Sequence, residues 1–284
     1  MSGCRERDDL RKVRLWALAP PEVTPLYEEV EPLRFAVALM ISPREGFRIY
    51  GGLAEHLGSK LNRPVQLILR RTSAEVNDLV RNRQVEAAFL CSYGYIQGRK
   101  DFGLEALADP QVRGRIFHPS YIIVPADSEV ETLGQLRGRA FAFADPLCRP
   151  GEPALPWEKG ERPGAFLKRH LVIYGHDRAI KAVAENLVDG AVVDGTVYEQ
   201  VTLSRPEEIA KTKVIGKSAP YGTPPIAVHP RMDLRLKREL QGAFLAMHQD
   251  EKGKRILRTL AVERFVPPAG GSASSMGRKA GGGR

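Results

Sequence analysis

The sequence predicts an α/β protein of mainly parallel sheets, with room for two lobes. Three observations predict it. Short apolar segments rich in strand formers alternate with segments of helical periodicity, an order that calls for parallel strands joined by crossover helices. At 284 residues the chain is long enough for two lobes with a core in each. Third, an apolar strand at 140–144 is stopped by Asp145-Pro146 and followed by a loop at 147–151. In an open α/β sheet, a loop at the carboxyl end of a strand is where ligands bind. A helix start there favours an anion, and Arg149 adds a full positive charge.

Taken in order, residues 1–32 are polar and broken by Pro20, Pro21, Pro25 and Pro32. They read as an extension or tether, with a short strand at 13–17. Apolar 33–38 is the first strand of the globular part, broken by Ile41-Ser42-Pro43. Tyr50, Leu53, Ala54, Leu57 and Leu61 recur at helical spacing up to Asn62-Arg63-Pro64, and 65–69 is a second strand. Thr72 and Glu75 form a capping-box signature before a helix carrying Val76, Leu79 and Val80. A strand at 85–90 runs into Cys91-Ser92-Tyr93-Gly94-Tyr95, read as a loop.

Strands at 121–124 and 140–144 flank a short capped helix at 128–137. Residues 155–162 read as irregular, 164–170 as helical and 171–174 as strand. Gly175-His176-Asp177 opens a helix with Ile180, Val183, Ala184 and Leu187 on one face. The strand at 190–195 ends in the Asp194 carboxylate, and a helix through Tyr198 and Val201 follows. Strands at 213–217 and 226–228 enclose a proline-rich loop at 218–225, and helices are expected at 233–248 and 253–260. Gly- and Ser-rich 269–284 is expected to be disordered.

The formal net charge is +9, which suits an acidic small ligand, a membrane surface or nucleic acid. Lys and Arg are scattered, without an aromatic-interleaved basic stripe, so nucleic acid is not expected as a partner. No apolar run approaches the roughly 20 residues that span a bilayer. The N-terminus lacks the apolar core of a secretion signal. Ser2-Gly3-Cys4 resembles the end of a bacterial lipoprotein cleavage site, which would fit a start further upstream; the alternative is a chance tripeptide. Cys4, Cys91 and Cys148 have neither zinc spacing nor a disulfide framework, and no metal or cofactor is expected.

Several segments, in order, resemble one family. They are the opening strand with the helix ending Leu61-Asn62-Arg63-Pro64-Val65, the run Phe89 to Tyr95, and Leu133 to Gly138 leading into Phe143-Ala144-Asp145-Pro146. Gly175-His176-Asp177, Val193-Asp194 and Ser218 to Pro225 complete the set. Over residues 33–268 the chain resembles the phosphate, phosphite and phosphonate solute-binding proteins of ABC transporters, two-lobed proteins of the type II periplasmic-binding class. The resemblance implies two lobes, each a mainly parallel sheet flanked by helices, with two hinge crossings near 118–125 and 213–220. Lobe one would be 33–119 plus 221–268, and lobe two 120–220. It further implies a small oxyanion in the cleft, an ABC permease as partner, a periplasmic or cell-envelope location, a monomer, and no enzymatic activity.

The resemblance also implies a site. The family's loop after Asp-Pro offers a Ser-Thr-Ser-Gly-like run to the ligand. Here Asp145-Pro146 leads instead to Cys148, Arg149, Pro150 and Gly151. Each lost hydrogen bond to a charged ligand costs about 1.5–3 kcal/mol, Arg149 recovers part of it, and Glu152 repels an anion. The opposing reading is that this loop no longer binds the family's ligand. Tyr93 and Tyr95 match the family's aromatic wall, against a packing role. His176 is expected to donate to an oxyanion, with Asp177 orienting it or meeting a cationic ligand group, against simple capping. Asp194 is expected to meet a protonated oxygen or an amine, against a role as a helix cap. Ser42, with Pro43 and Glu45, follows the first strand, where the family also contacts ligand. Two other functions stay open: a ligand sensor coupled to a signalling partner, and an enzyme using Cys148 near His176. A crevice lined with acids would count against an anion.

Overall fold

The computed structural model describes residues 31–39, 43–146 and 167–269. The first half runs β1 (Leu33–Ala38), α1 (Pro43–Leu61), β2 (Val65–Arg70), α2 (Ser73–Arg81), β3 (Ala87–Phe89), α3 (Ser92–Phe102), β4 (Glu105–Gln111), β5 (Phe117–His118), β6 (Ser120–Pro125) and β7 (Ala140–Phe143). The rest runs β8 (Arg169–Val172), α4 (His176–Ala184), β9 (Gly190–Asp194), α5 (Gly195–Ser204), α6 (Pro206–Ile209), β10 (Thr212–Lys217), β11 (Tyr221–Gly222), β12 (Ile226–Val228), α7 (Leu234–Leu245), α8 (Glu251–Thr259) and β13 (Arg264–Val266).

The strands form two main sheets. The first has the order β13-β4-β12-β3-β1-β2, the second β10-β6-β9-β7-β8. In both, parallel pairing is confined to one side: β3-β1-β2 in the first, β9-β7-β8 in the second. The remaining pairs are antiparallel. The sheets are therefore mixed, a correction to the mainly parallel expectation. The strand–helix alternation legible early in the chain makes the parallel part. Strands arriving by other connections, such as β12, insert antiparallel.

Each sheet is covered on both faces, which is why its strands read as continuous apolar runs. Along β1 the period of two sends Phe35 and Val37 to a core with Leu53, Leu57, Phe244 and Phe265, and Ala36 and Ala38 to one with Val76, Val80 and Leu104. On β7, Ala142 joins Ile180, Val183 and Val193, while Phe141 and Phe143 pack with Ile122, Leu136 and Val192.

Between the sheets the chain crosses twice. β5 precedes β6, and β11 follows β10. β5 and β11 pair antiparallel, Tyr221 opposite His118 and Gly222 opposite Phe117. The Ser120 N–H donates to Ser218 Oγ at 2.9 Å, and the Ser120 and Tyr221 hydroxyls meet at 2.6 Å, tying the crossings together.

Four local readings change, the first being Leu187, which lies beyond the end of α4 and is exposed rather than on its apolar face. Residues 91–95 lie not in a loop but in the cap and first turn of α3. The capped helix at 128–137 shrinks to a 3-10 turn, Leu133–Leu136, after Thr132. Residues 169–170 are strand rather than helix. The readings at 1–30, including the tether and its strand, and at 155–162 and 270–284 lie outside the described residues. No helix among the described residues is long and apolar enough to cross a membrane.

Candidate functional site

On the first sheet, α2 and α3 start side by side. Thr72 caps α2 in a capping box: its hydroxyl accepts the Glu75 N–H at 3.2 Å, and Glu75 accepts the Thr72 N–H at 3.0 Å. Such a cap stabilises a helix by about 1 kcal/mol. Cys91 caps α3 with sulfur, its Sγ accepting the Gly94 N–H at 3.3 Å and the Ser73 hydroxyl at 3.1 Å. Tyr93 follows, half-buried, in the first turn of α3.

On the second sheet, α4 and α5 also start side by side. The Asp194 N–H donates to His176 Nδ1 at 3.1 Å. Asp194 Oδ1 caps α5, accepting the N–H groups of Thr196 at 2.9 Å and Val197 at 3.3 Å and the Thr196 hydroxyl. Its Oδ2 meets His118 Nε2 at 2.7 Å, and the His118 ring packs at a tilt against Tyr221 at the crossings.

Asp145, just past β7, joins the two halves: its Oδ2 accepts the Ser73 N–H, the first of α2, at 2.9 Å. The starts of four helices, of 9, 11, 9 and 10 residues, thus meet from two sheets. Each contributes the positive end of its dipole, while the first N–H groups of α5 are already taken by Pro119 and Asp194.

The electrostatics centre on His176, only 5 % exposed. Burial lowers its pKa and outweighs the opposite pull of Asp194, Asp145 and Asp177. With Nδ1 accepting, the neutral ring carries its proton on Nε2, which makes no hydrogen bond among the described residues. For Asp194, burial acts to raise the pKa, but the charge and hydrogen bond of His118, then His176 and Thr196, hold it well below the usual carboxylate range. Three carboxylates therefore do stand around His176, and each is engaged by the protein. Asp194 has His118 and the α5 N–H groups, Asp145 has the α2 N–H, and Asp177 has the Arg205 guanidinium at 3.9 Å.

Of the candidate residues, the structure brings Asp145, His176, Asp177 and Asp194 together. Tyr93 stands at the α3 start. Tyr95 is 6 % exposed and packs with Val76, Leu90 and Leu104 in the first sheet's core. Two residues apart on a helix, Tyr93 and Tyr95 face opposite ways; only in a loop could both line one wall. Ser42, Cys148 and Arg149 lie outside the described residues. Sequence reasoning missed Ser73, Cys91 as a sulfur cap, and His118. The capping box at Thr72 pointed to the α2 start and so to Ser73. His118 carried the weaker signal of preceding Pro119 at an expected crossing.

Two sheets joined by paired crossings, with helix starts from both meeting at one point, define a two-lobed type II periplasmic-binding fold. Residues 35–270 match the family model described as ABC transporter, phosphonate, periplasmic substrate-binding protein, and the chain belongs to that family. Solved structures share the fold. A binding protein component of an ABC phosphonate transporter from Pseudomonas aeruginosa aligns with a TM-score of 0.76 at 20% identity, covering 84% of this chain and 82% of that one. PhnD1 from Prochlorococcus marinus, in complex with methylphosphonate, aligns at 0.69 with 14% identity, covering 84% and 93%. A Xanthomonas citri protein bound to ATP aligns at 0.65 with 15% identity, covering 84% and 92%.

Proposed function

We propose that this chain captures a small oxyanion, such as phosphate, phosphite or a phosphonate, in the cleft between its sheets and delivers it to an ABC permease. The observation that carries this reading is the meeting of four helix starts around a neutral, buried His176 whose Nε2–H has no partner among the described residues. An oxyanion satisfies N–H donors of that kind without a counter-charge. Asp194 and Asp177 do not oppose it, because each is already engaged by the protein.

In this reading the lobes are 33–119 with 221–268, and 120–220, closing about the β5–β11 crossings. Tyr93, His176, Asp177 and Asp194 form the described part of the site, and Ser42, Cys148 and Arg149 are its further candidates. Asp177 orients the ligand's donors or receives a protonated oxygen or an amine, and Asp194, its oxygens taken by α5 and His118, holds His176 in place through its own N–H. The protein works as a monomer on the periplasmic side of the membrane, and binding is reversible and involves no chemistry.

Isothermal titration against phosphate, phosphite and methylphosphonate tests the proposal. Sub-micromolar binding of at least one is expected, weakened roughly tenfold or more by His176→Ala, the loss of a hydrogen bond to a charged group. Binding of none, or an undiminished His176→Ala variant, overturns it.

A further inference from the structure

We propose that Asp145 is an internal anion that latches the two lobes together before ligand arrives. Its carboxylate lies at the end of β7 on the second sheet, 8 % exposed, and takes the first N–H of α2 on the first sheet at 2.9 Å. That is the position an anion takes at a helix start.

Among the described residues and away from the crossings, where His118 meets Asp194, two other polar contacts bridge the main sheets, and both belong to weaker classes. The Arg113–Glu199 pair, at 3.2 Å, is largely exposed on its arginine side, where ion pairs contribute little. The Gln200 side chain reaches the Thr259 carbonyl at 3.4 Å, between neutral groups. The Asp145–Ser73 bond is shorter, buried and charge-assisted, which makes it the strongest of the three.

The carboxylate also adds negative charge beside His176. An oxyanion entering the cleft therefore meets a closed door and a like charge in the same residue. The latch slows entry, and opening requires Asp145 to leave Ser73.

Two variants remove the latch from opposite sides. Asp145→Ala deletes the acceptor. Ser73→Pro deletes the donor N–H at the first helical position, where proline is favoured, after a Thr72 already in the extended conformation that precedes proline; it also removes the hydroxyl bond to Cys91, which Ser73→Ala removes alone and so controls for. Small-angle X-ray scattering of the ligand-free full chain is expected to show the same rise in radius of gyration for both variants. The double variant is expected to show no further rise, because the two residues act through one bond. Asp145→Asn, a neutral acceptor, is expected to fall between parent and Asp145→Ala. In stopped-flow mixing with methylphosphonate, both single variants are expected to associate roughly tenfold faster or more, the factor of one charge-assisted hydrogen bond.

Unchanged scattering in both single variants, or additive effects in the double variant, overturns the latch. The scattering measurement does not depend on the proposed ligand. Opened variants that bind no oxyanion would uphold the latch and refute the functional reading. Unopened variants in a protein that binds normally would do the reverse.

Discussion

On the first sheet the N-cap side chains at the cleft are neutral, a threonine hydroxyl on α2 and a cysteine sulfur on α3, and the carboxylates at the α2 start come from Glu75 within the helix and Asp145 of the other sheet. On the second sheet a carboxylate caps α5 and a histidine opens α4, with a second histidine behind them. The neutral side is held by shape. Gly94 lies against Ser73 and Gly98 against Asn77 and Leu104, so α2 and α3 approach more closely than any Cβ would allow. The charged side is held by a few specific bonds that offset the desolvation of Asp194. Shape-held sites fail when volume changes. Charge-held sites fail when one partner is removed or the pH moves.

The largest expected effect is therefore on the second sheet. Asp194→Ala removes a cap and leaves His118 without its partner, and a loss of about 3–5 kcal/mol is expected in urea unfolding. A loss under about 1 kcal/mol would mean the charged side is not held as described. Next comes Gly94→Ala. The new Cβ would sit 2.4 Å from Ser73 Cβ, and overpacking of that kind costs about 1–3 kcal/mol. Unaltered stability would show that the helix starts can slide apart.

The pH dependence sharpens the comparison. His176 has a lowered folded pKa, so the unfolded chain binds more protons below about 6.5, and stability falls as pH drops from there toward the folded value. Asp194 is also lowered, so its contribution is present above about 3.9 and is lost at more acid pH. His56, buried near Asp250 on the first sheet and likewise lowered by burial, adds its own slope, so the informative quantity is a difference. His176→Gln is expected to flatten the melting-temperature profile between pH 5 and 7 relative to the parent, by at most about 1.4 kcal/mol per pH unit. An unchanged slope would place its titration elsewhere.

Cys91→Ala is expected to cost about 1 kcal/mol, and Cys91→Ser, which keeps an acceptor for Gly94, to restore most of it. Equal losses would rule out a capping role for the sulfur. The smallest effect belongs to Arg113→Ala, within about 1 kcal/mol, because its pair with Glu199 is exposed.

The same contrast explains what could be read from the chain. β1 and β12 match their expected bounds because each is an apolar run with clear ends. α3 was hidden because Gly94, Gly98 and two tyrosines argue against a helix locally, and only packing against α2 makes those glycines favourable. β4 was hidden by Asp109-Pro110, which reads as a break. In the sheet Pro110 pairs with Phe265, and its carbonyl accepts the Thr223 hydroxyl. β5, β11 and β13, of two or three residues, are too short for any periodicity. At the site, the residues at the ends of strands or starts of helices, Asp145, His176, Asp177 and Asp194, were legible from punctuation. Ser73 and His118 were not, because their partners lie 72 and 76 residues away.

The β5–β11 ribbon carries a mechanical consequence. Two strands bonded side by side are expected to bend together, so lobes closing about them, as proposed, would be left with one easy rotation. A single inserted residue in either crossing would tilt that axis, and the four helix starts, though chemically untouched, would no longer converge on a common point.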